Sequence, residues 1–251
     1  MAVSIKSARE IELMREAGKR LAHVHQELEA MIAPGISTWE IDAKGEKLIR
    51  DCGCIPNFLH YNGYPASICV SVNDEVVHGI PRKDRYLKEG DIVSLDAGLI
   101  YKGYHSDAAR THAVGKVSTE AQKLMDVTKQ SFFEGIKMAK EGQHLHDISR
   151  AIEEYVTPYG YGIVRDLVGH GIGTALHEDP QIPNFRQRGR GLKLMPGMTL
   201  AIEPMINAGT WEVAWLDDDW TVVTDDGSLS AHYENTILIT DGEPVILTLT
   251  L

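Results

Sequence analysis

An α+β fold of two related halves sharing one central sheet is what this chain predicts, and three observations carry that expectation. A long amphipathic helix pattern, a break, a shorter helix pattern and a glycine occur in that order twice. Strand-forming runs follow each helix pair. The 251 residues are 43% hydrophobic and 24% charged, ordinary for a soluble globular protein, and no linker, low-complexity tract or charge block divides them. Residues 1–251 therefore read as one domain with an internal duplication, approximately 1–115 and 116–251, and with helices on one face of the sheet.

In chain order, residues 7–32 carry Met14, Ala17, Leu21, Val24, Leu28 and Met31 at alternating steps of three and four, one face of a helix. Pro34-Gly35 stops it, and Ser37 with Glu40 forms a capping box for a second helix burying Ile41, Leu48 and Ile49 and ending near Gly53. Strands are expected at 68–72 and 75–78, then a β-hairpin over 91–113 with Lys102-Gly103 as its turn signal. If the two-residue loop is Tyr101-Lys102, Asp96 lies directly across from Asp107, where Cβ atoms stand about 4.5–5.5 Å apart and like charges destabilise. A turn centred on Gly103 changes that register, and a one-residue slip would send one aspartate to the other face. Residues 119–140 form the second long helix, with Ala121, Met125, Thr128, Phe132, Ile136 and Ala139 inward. Glu141-Gly142 breaks it, and 146–156 is the second short helix. Setting Gly35 on Gly142 brings Glu40-Ile41 onto Asp147-Ile148 and Gly53 onto Gly160. Asp217-Asp218-Asp219 reads as a solvated turn.

The net charge of −11 argues against a general affinity for DNA, RNA or anionic membranes, and suits a protein that gathers carboxylates around metal. Cys52, Cys54 and Cys69 make an odd count that favours free thiols in a reducing compartment. The N-terminus lacks an apolar signal core and no apolar run approaches a membrane span, so a cytoplasmic protein is expected.

The chemistry sits in five residues. The glycines of 169–173 allow close backbone approach around His170, and their spacing matches neither a dinucleotide fingerprint nor a Walker loop. His177-Glu178-Asp179-Pro180 is not H-E-x-x-H. Glu203 and Glu234 each interrupt an apolar strand pattern, 200–206 and 231–239, where glutamate is uncommon. With Asp96, Asp107 and His170 they make four acids and one imidazole. Four clustered carboxylates form six repulsive pairs, and at about 3 kcal/mol each these would exceed a domain's whole stability. Two divalent cations cancel the set. Oxygen-rich ligands with one nitrogen and no thiolate suit manganese, iron(II) or cobalt rather than structural zinc. Two such ions about 3.5–4 Å apart acidify a water and polarise a carbonyl, which is hydrolytic chemistry.

The motifs that hold these residues resemble the bacterial-form type I methionine aminopeptidases. They are Tyr61-x-Gly-Tyr64-Pro-x-Ser, Val77-His78-Gly-Ile-Pro, Ser94-Leu-Asp96, His105-Ser-Asp107, Gly169-His170-Gly-Ile-Gly, His177-Glu178, Ile202-Glu203-Pro204 and Ser230-Ala-His232-Tyr-Glu234, spanning most of the chain in family order. The resemblance implies the pita-bread fold, two pseudo-symmetric halves sharing a central, mainly antiparallel sheet with helices outside. It implies that Asp96 chelates one metal, Asp107 and Glu234 bridge two, and His170 with Glu203 completes the other. Cobalt, manganese or iron(II) are the expected ions, with zinc or nickel admissible, and Asn73 and Ser230 lie where relatives hold a monovalent cation. Glu203 would also shuttle a proton, His177 would bond the scissile carbonyl and its oxyanion, and His78 the peptide nitrogen. Phe58, Tyr61, Tyr64, Cys69, Leu176 and Trp220 would line a methionine side-chain pocket. The implied substrate is the N-terminal methionine of nascent proteins with a small second residue, met by a monomer in transient contact with the ribosome. Three positions depart from the family. Leu176 replaces a frequent Phe, Phe58 is at a variable position, and Asn235 replaces a frequent His. An X-Pro aminopeptidase or dipeptidase on the same fold shares the five ligands, and a non-catalytic pita-bread binding protein is the alternative outside enzymes; such proteins lose ligands and tend to be basic.

Overall fold

Ser7 and Ser37 each close a capping box with the glutamate three residues on, and those boxes open α1 (Ala8–Glu29) and α2 (Thr38–Asp51). The computed structural model describes residues 3–249. Met14, Ala17, Leu21, Val24 and Leu28 form the buried stripe of α1, as their spacing predicts. In the second half, Ser118 caps α3 (Thr119–Ile136), and α4 (Leu145–Val156) follows. α3 stops short of residue 140. Its last turn tightens, with the Met138 and Ala139 N–H groups bonding the Gly135 and Ile136 carbonyls, so Ala139 stays buried outside the helix. Among the described residues, no helix is long and apolar enough to cross a membrane.

The strands are β1 (Ile55–Pro56), β2 (Ile68–Val72), β3 (Glu75–Val77), β4 (Ile92–Tyr101), β5 (Tyr104–Ala113), β6 (Gly162–Ile163), β7 (Gly169–Gly171) and β8 (Glu178–Ile182). They continue as β9 (Thr199–Ile202), β10 (Met205–Asn207), β11 (Val213–Trp215), β12 (Val222–Thr224), β13 (Ser230–His232), β14 (Asn235–Leu238) and β15 (Val245–Ile246). Their pairings are antiparallel. β4 pairs with β5 along its length and with β1 and β2 in succession, while β15-β14-β9-β7-β8 make a five-stranded sheet. One core packs α1 and α2 residues against β2, β4 and β5, and a second packs α3 and α4 against β9, β10 and β14. Helices thus cover antiparallel strands, as expected for the pita-bread class, and among the described residues those strands form four hydrogen-bonded sheets of four, three, three and five strands rather than one continuous sheet.

Two expectations change. The β4–β5 loop is Lys102-Gly103, with φ of 49° and 86°, the left-handed pair a type I′ turn needs. Tyr101 therefore faces Tyr104, and Asp96 is paired with Ala109 while Asp107 is paired with Gly98. The two aspartates are diagonal neighbours on one face rather than directly opposed, which lengthens their separation to about 7–8 Å and softens the repulsion. Second, the runs at 200–206 and 231–239 are not continuous strands. Each breaks at its acid, because Pro204 has no N–H for the ladder and the Pro204 carbonyl instead accepts from Tyr233 at 3.2 Å. Asn235 restarts the second run as β14, opposite Ile202 of β9.

Candidate active site

The breaks bring the acids together. At the second, the Glu234 N–H donates to the Ala109 carbonyl of β5 at 2.9 Å, and the Ala109 N–H returns the bond at 3.4 Å. The Thr236 hydroxyl donates to the Asp107 carbonyl at 2.9 Å and accepts from the Asp107 N–H at 3.0 Å. These bonds stitch β5 to the β14 sheet. They set the carboxylates of Asp107 and Glu234 beside His170, whose strand, β7, pairs with β9. One ligand atom from each of Asp107, His170 and Glu234 lies within 4.8 Å of the others, and all three residues are buried. His170 Nε2 stands 3.6 Å from Glu203 Oε1 and 3.9 Å from Asp107 Oδ2. Asp96 opens onto the same cavity from β4.

The charges set what the cluster can hold. Burial raises Asp107, Glu203 and Glu234 well above the usual carboxylate range, and each is raised further by its acidic neighbours. Burial pushes Asp96 up to about 7. Oxygens of Asp96, Asp107 and Glu234 are buried without a hydrogen-bond partner among the described residues. His170 is pushed down to about 3 by burial and by His177 beside it. Its Nδ1 bonds the Gly171 carbonyl at 2.9 Å, so the proton sits there and the Nε2 lone pair faces the carboxylates. Four acids, orphaned oxygens and a free imidazole lone pair fit divalent cations by donor type and by charge.

Over this floor lies a cavity of about 280 Å³. Its walls include Phe58, Tyr64, Cys69, Leu176 and Trp220, with Tyr61 at the mouth, so the structure brings the expected pocket residues together. Trp220 meets the Tyr64 ring edge-on at 5.1 Å and the His78 ring at 6.2 Å. The Tyr64 hydroxyl donates to the Gly79 carbonyl at 2.9 Å, so a buried aromatic has its polar end satisfied. His78 has φ of 60°, a left-handed conformation beside Gly79, where a Cβ would lie 2.4 Å from the Val70 carbonyl oxygen. Burial lowers His78 to about 4. His177, exposed at the mouth, stacks edge-on to His170 at 4.3 Å and holds the Tyr61 hydroxyl at 2.8 Å from its Nδ1.

The lining also holds Asn62, Val77, Leu167, Val168, Met205 and His232 beyond the expected set, and the histidine is the one with chemistry to offer. His232 is 1% exposed, lies 3.8 Å from Glu203 Oε2 and has both ring nitrogens unpartnered among the described residues. Its spacing of two from Glu234 was the available signal, since alternate strand residues share a face. Asn73 and Ser230 are near one another through the Ser230 N–H to Asn73 carbonyl bond at 2.8 Å, but the Asn73 amide is committed to Asp91 and to the Ile92 N–H. Asn235 accepts from Arg110 and from the Thr248 hydroxyl, a structural network behind Glu234.

Residues 12–241 match the model of metallopeptidase family M24. The chain is 55% identical over 247 residues to a methionine aminopeptidase of Clostridium acetobutylicum, covering 98% of this chain and 99% of that one. It is 51% identical over 243 residues to methionine aminopeptidase 1 of Bacillus subtilis, covering 97% and 98%. The crystal structure of the Thermotoga maritima methionine aminopeptidase superposes with a TM-score of 0.97 at 46% identity, covering 99% of this chain and all of that one. A Xaa-Pro dipeptidase from Bacillus anthracis superposes at 0.80 with 26% identity, over 98% of this chain and 62% of its own.

Proposed function

The chain belongs to metallopeptidase family M24, and from that membership we propose that it is a metal-dependent aminopeptidase removing the N-terminal methionine of nascent proteins whose second residue is small. The observation that carries the reading is the cluster of Asp107, His170 and Glu234, with ligand atoms within 4.8 Å, under an aromatic and apolar cavity sized for one side chain. Asp96, Asp107, His170, Glu203 and Glu234 would hold two divalent ions, with cobalt, manganese or iron(II) the best suited by ligand type. When bound, such ions supply Lewis acidity and lower the pKa of water.

The protein's own groups then divide the work. Glu203 takes the proton of the attacking water and passes it to the departing amine. A Tyr61 hydroxyl donating to His177 Nδ1 leaves the proton on Nε2, the tautomer needed to donate to the oxyanion. His78, kept neutral by burial, can hydrogen-bond the peptide nitrogen without adding charge to the site. The sulfur of Cys69 and the rings of Tyr64 and Trp220 make a soft apolar wall matched to a thioether. Free Cys52, Cys54 and Cys69 support a cytoplasmic setting. We read residues 1–251 as one catalytic domain acting as a monomer. Trp215, at the end of β11, and Leu216 are exposed beside Asp217, Asp218 and Asp219, an acidic surface unsuited to RNA, so any ribosome contact is transient.

Turnover of Met-Ala-Ser against Ala-Pro-Ala by manganese-loaded protein tests the reading. Methionyl release should dominate; preference for the proline peptide would transfer the chain to the X-Pro peptidases, and no turnover of either in manganese, cobalt or iron(II) would favour a binding protein.

A further inference from the structure

Glu178 follows His177, and its carboxylate ties two distant segments together. Oε1 accepts from the Thr174 N–H at 2.8 Å and the Ala175 N–H at 3.2 Å, closing the loop that carries Leu176 and His177. Oε2 accepts from the Lys6 ammonium at 2.6 Å and the Ser4 hydroxyl at 2.7 Å. The Lys6 side chain is 4% exposed and that of Glu178 16%, so the ammonium is withdrawn from solvent while the carboxylate is partly exposed. Lys6 is itself fixed, since its backbone N–H donates to the Gly197 carbonyl at 2.8 Å. Gly173 completes the fit, because a Cβ there would lie 2.4 Å from Lys6 Cε. Burial alone would raise Glu178, yet the Lys6 and Ser4 bonds outweigh it and bring the group down to about 2.

We propose that Lys6 is a positioning residue for His177, acting from the N-terminal arm through Glu178 to hold the 173–178 loop in register with the cavity. The proposal rests on the reading of His177 as oxyanion donor. Tyr61 holds the imidazole at Nδ1, and the clasp holds the backbone from which that imidazole projects. Without the ammonium, Glu178 keeps its bonds to the loop but loses its countercharge and its tie to the N-terminal arm, and the loop shifts to bring the carboxylate further into water. A shift of His177 weakens the hydrogen bond to the transition state more than contacts to the bound peptide, so kcat should fall while KM holds.

The test uses full-length, manganese-loaded protein and Met-Ala-Ser. Lys6→Met should lower kcat about tenfold with KM within about twofold, and Lys6→Arg, still able to pair with Glu178, should recover most of the loss. In a His177→Ala background, Lys6→Met should cost no more than about a further twofold, because the two changes act on one step. In zinc-loaded protein, whose diamagnetic ion leaves the ring signals sharp, the imidazole ¹H–¹⁵N signals of His177, assigned by their loss in His177→Ala, should move in Lys6→Met and return in Lys6→Arg. An unchanged kcat, an equal loss in both backgrounds, or unmoved His177 signals overturns the proposal. If Lys6→Met does not fold, Glu178→Gln carries the same comparisons, since its amide oxygen can still accept from the loop amides while losing the charge that holds Lys6. Wild-type protein inactive on Met-Ala-Ser would overturn the aminopeptidase reading instead, and the His177 signals would still decide the clasp.

Discussion

A single hydrogen bond sets what His170 presents: with its Nδ1 proton on the Gly171 carbonyl, the Nε2 lone pair faces the acids, as the ligand role proposed for it requires. Glu203 is the contrasting case, near His170 and His232 at once and pushed well above the usual carboxylate range by burial and Asp96. We propose it as the group that carries the proton. Glu203→Ala should nearly abolish turnover of Met-Ala-Ser while leaving the far-UV circular dichroism spectrum intact; wild-type activity would remove it from the mechanism. His177→Ala should lower kcat by about 10²–10³-fold, the loss typical of one oxyanion donor, and an unchanged kcat would exclude that role. Glu203 and Glu234 stood out in the sequence because an acid inside an apolar strand pattern is costly and so conspicuous, Asp96 and Asp107 because one hairpin carries both, and His170 because glycines flank it. His232 was less readable, since a buried histidine between two apolar strands is as easily core as site, and its two unpartnered nitrogens exist only in three dimensions.

Whole elements were legible where the pattern was long. The helices α1, α2, α3 and α4 start within a residue or so of their predicted positions, because cap and stripe agree. Register was not legible: Lys102 can sit at either position of the turn, and only the positive φ at Lys102 and Gly103 chooses. The breaks at Glu203 and Glu234 were hidden because an apolar run does not reveal which sheet each end joins. Bridges support the internal duplication that we propose. Ser37 bridges Tyr86 at the cap of α2, and His144 bridges Lys193 at the cap of α4, a shift of 107 in both partners (144 − 37 and 193 − 86). The α1–β5 seam carries its own prediction. Burial and the adjacent Arg110 hold His112 down at about 4, and His25, bonded from Nε2 to the Ala108 carbonyl at 2.8 Å, is also lowered well below its usual range. Between pH 6.5 and 4 the unfolded chain binds more protons at these rings than the folded one, so their contribution to stability falls as pH falls. Glu29, 3.8 Å from His112 Nδ1, softens this only from an exposed position. Going from pH 7 to 5, wild-type protein should lose about 2 kcal/mol more unfolding free energy in urea than His112→Gln does. Equal losses would mean the ring is solvated in the folded state.

On the scale of the whole molecule, the candidate site sets the terms on which the chain folds. Asp96, Asp107, Glu203 and Glu234 come from segments on both sides of the chain's midpoint, so folding itself forces four acids into one cavity. Without a cation the fold must hold protons there: Asp96 is raised to about 7, and the other three are raised well above their usual range. A raised carboxylate binds more protons folded than unfolded, so metal-free stability from this cluster falls as pH climbs from about 4 through 7. Divalent ions reverse the dependence, because they need the deprotonated ligands that alkaline pH provides. The thermal shift on adding manganese to chelator-treated protein should therefore be larger at pH 8 than at pH 6. Ion at 100 times its dissociation constant stabilises the fold by about 2.7 kcal/mol, a rise of about 5–10 °C for a chain of this size. Removing two of the charges separates this account from non-specific binding. Asp107→Asn with Glu234→Gln relieves the repulsion, so the metal-free double variant should melt higher than metal-free wild type and gain nothing from manganese. A wild-type melting temperature indifferent to manganese at both pH values, or a double variant that keeps the full shift, would mean that these acids neither bind the ion nor burden the fold.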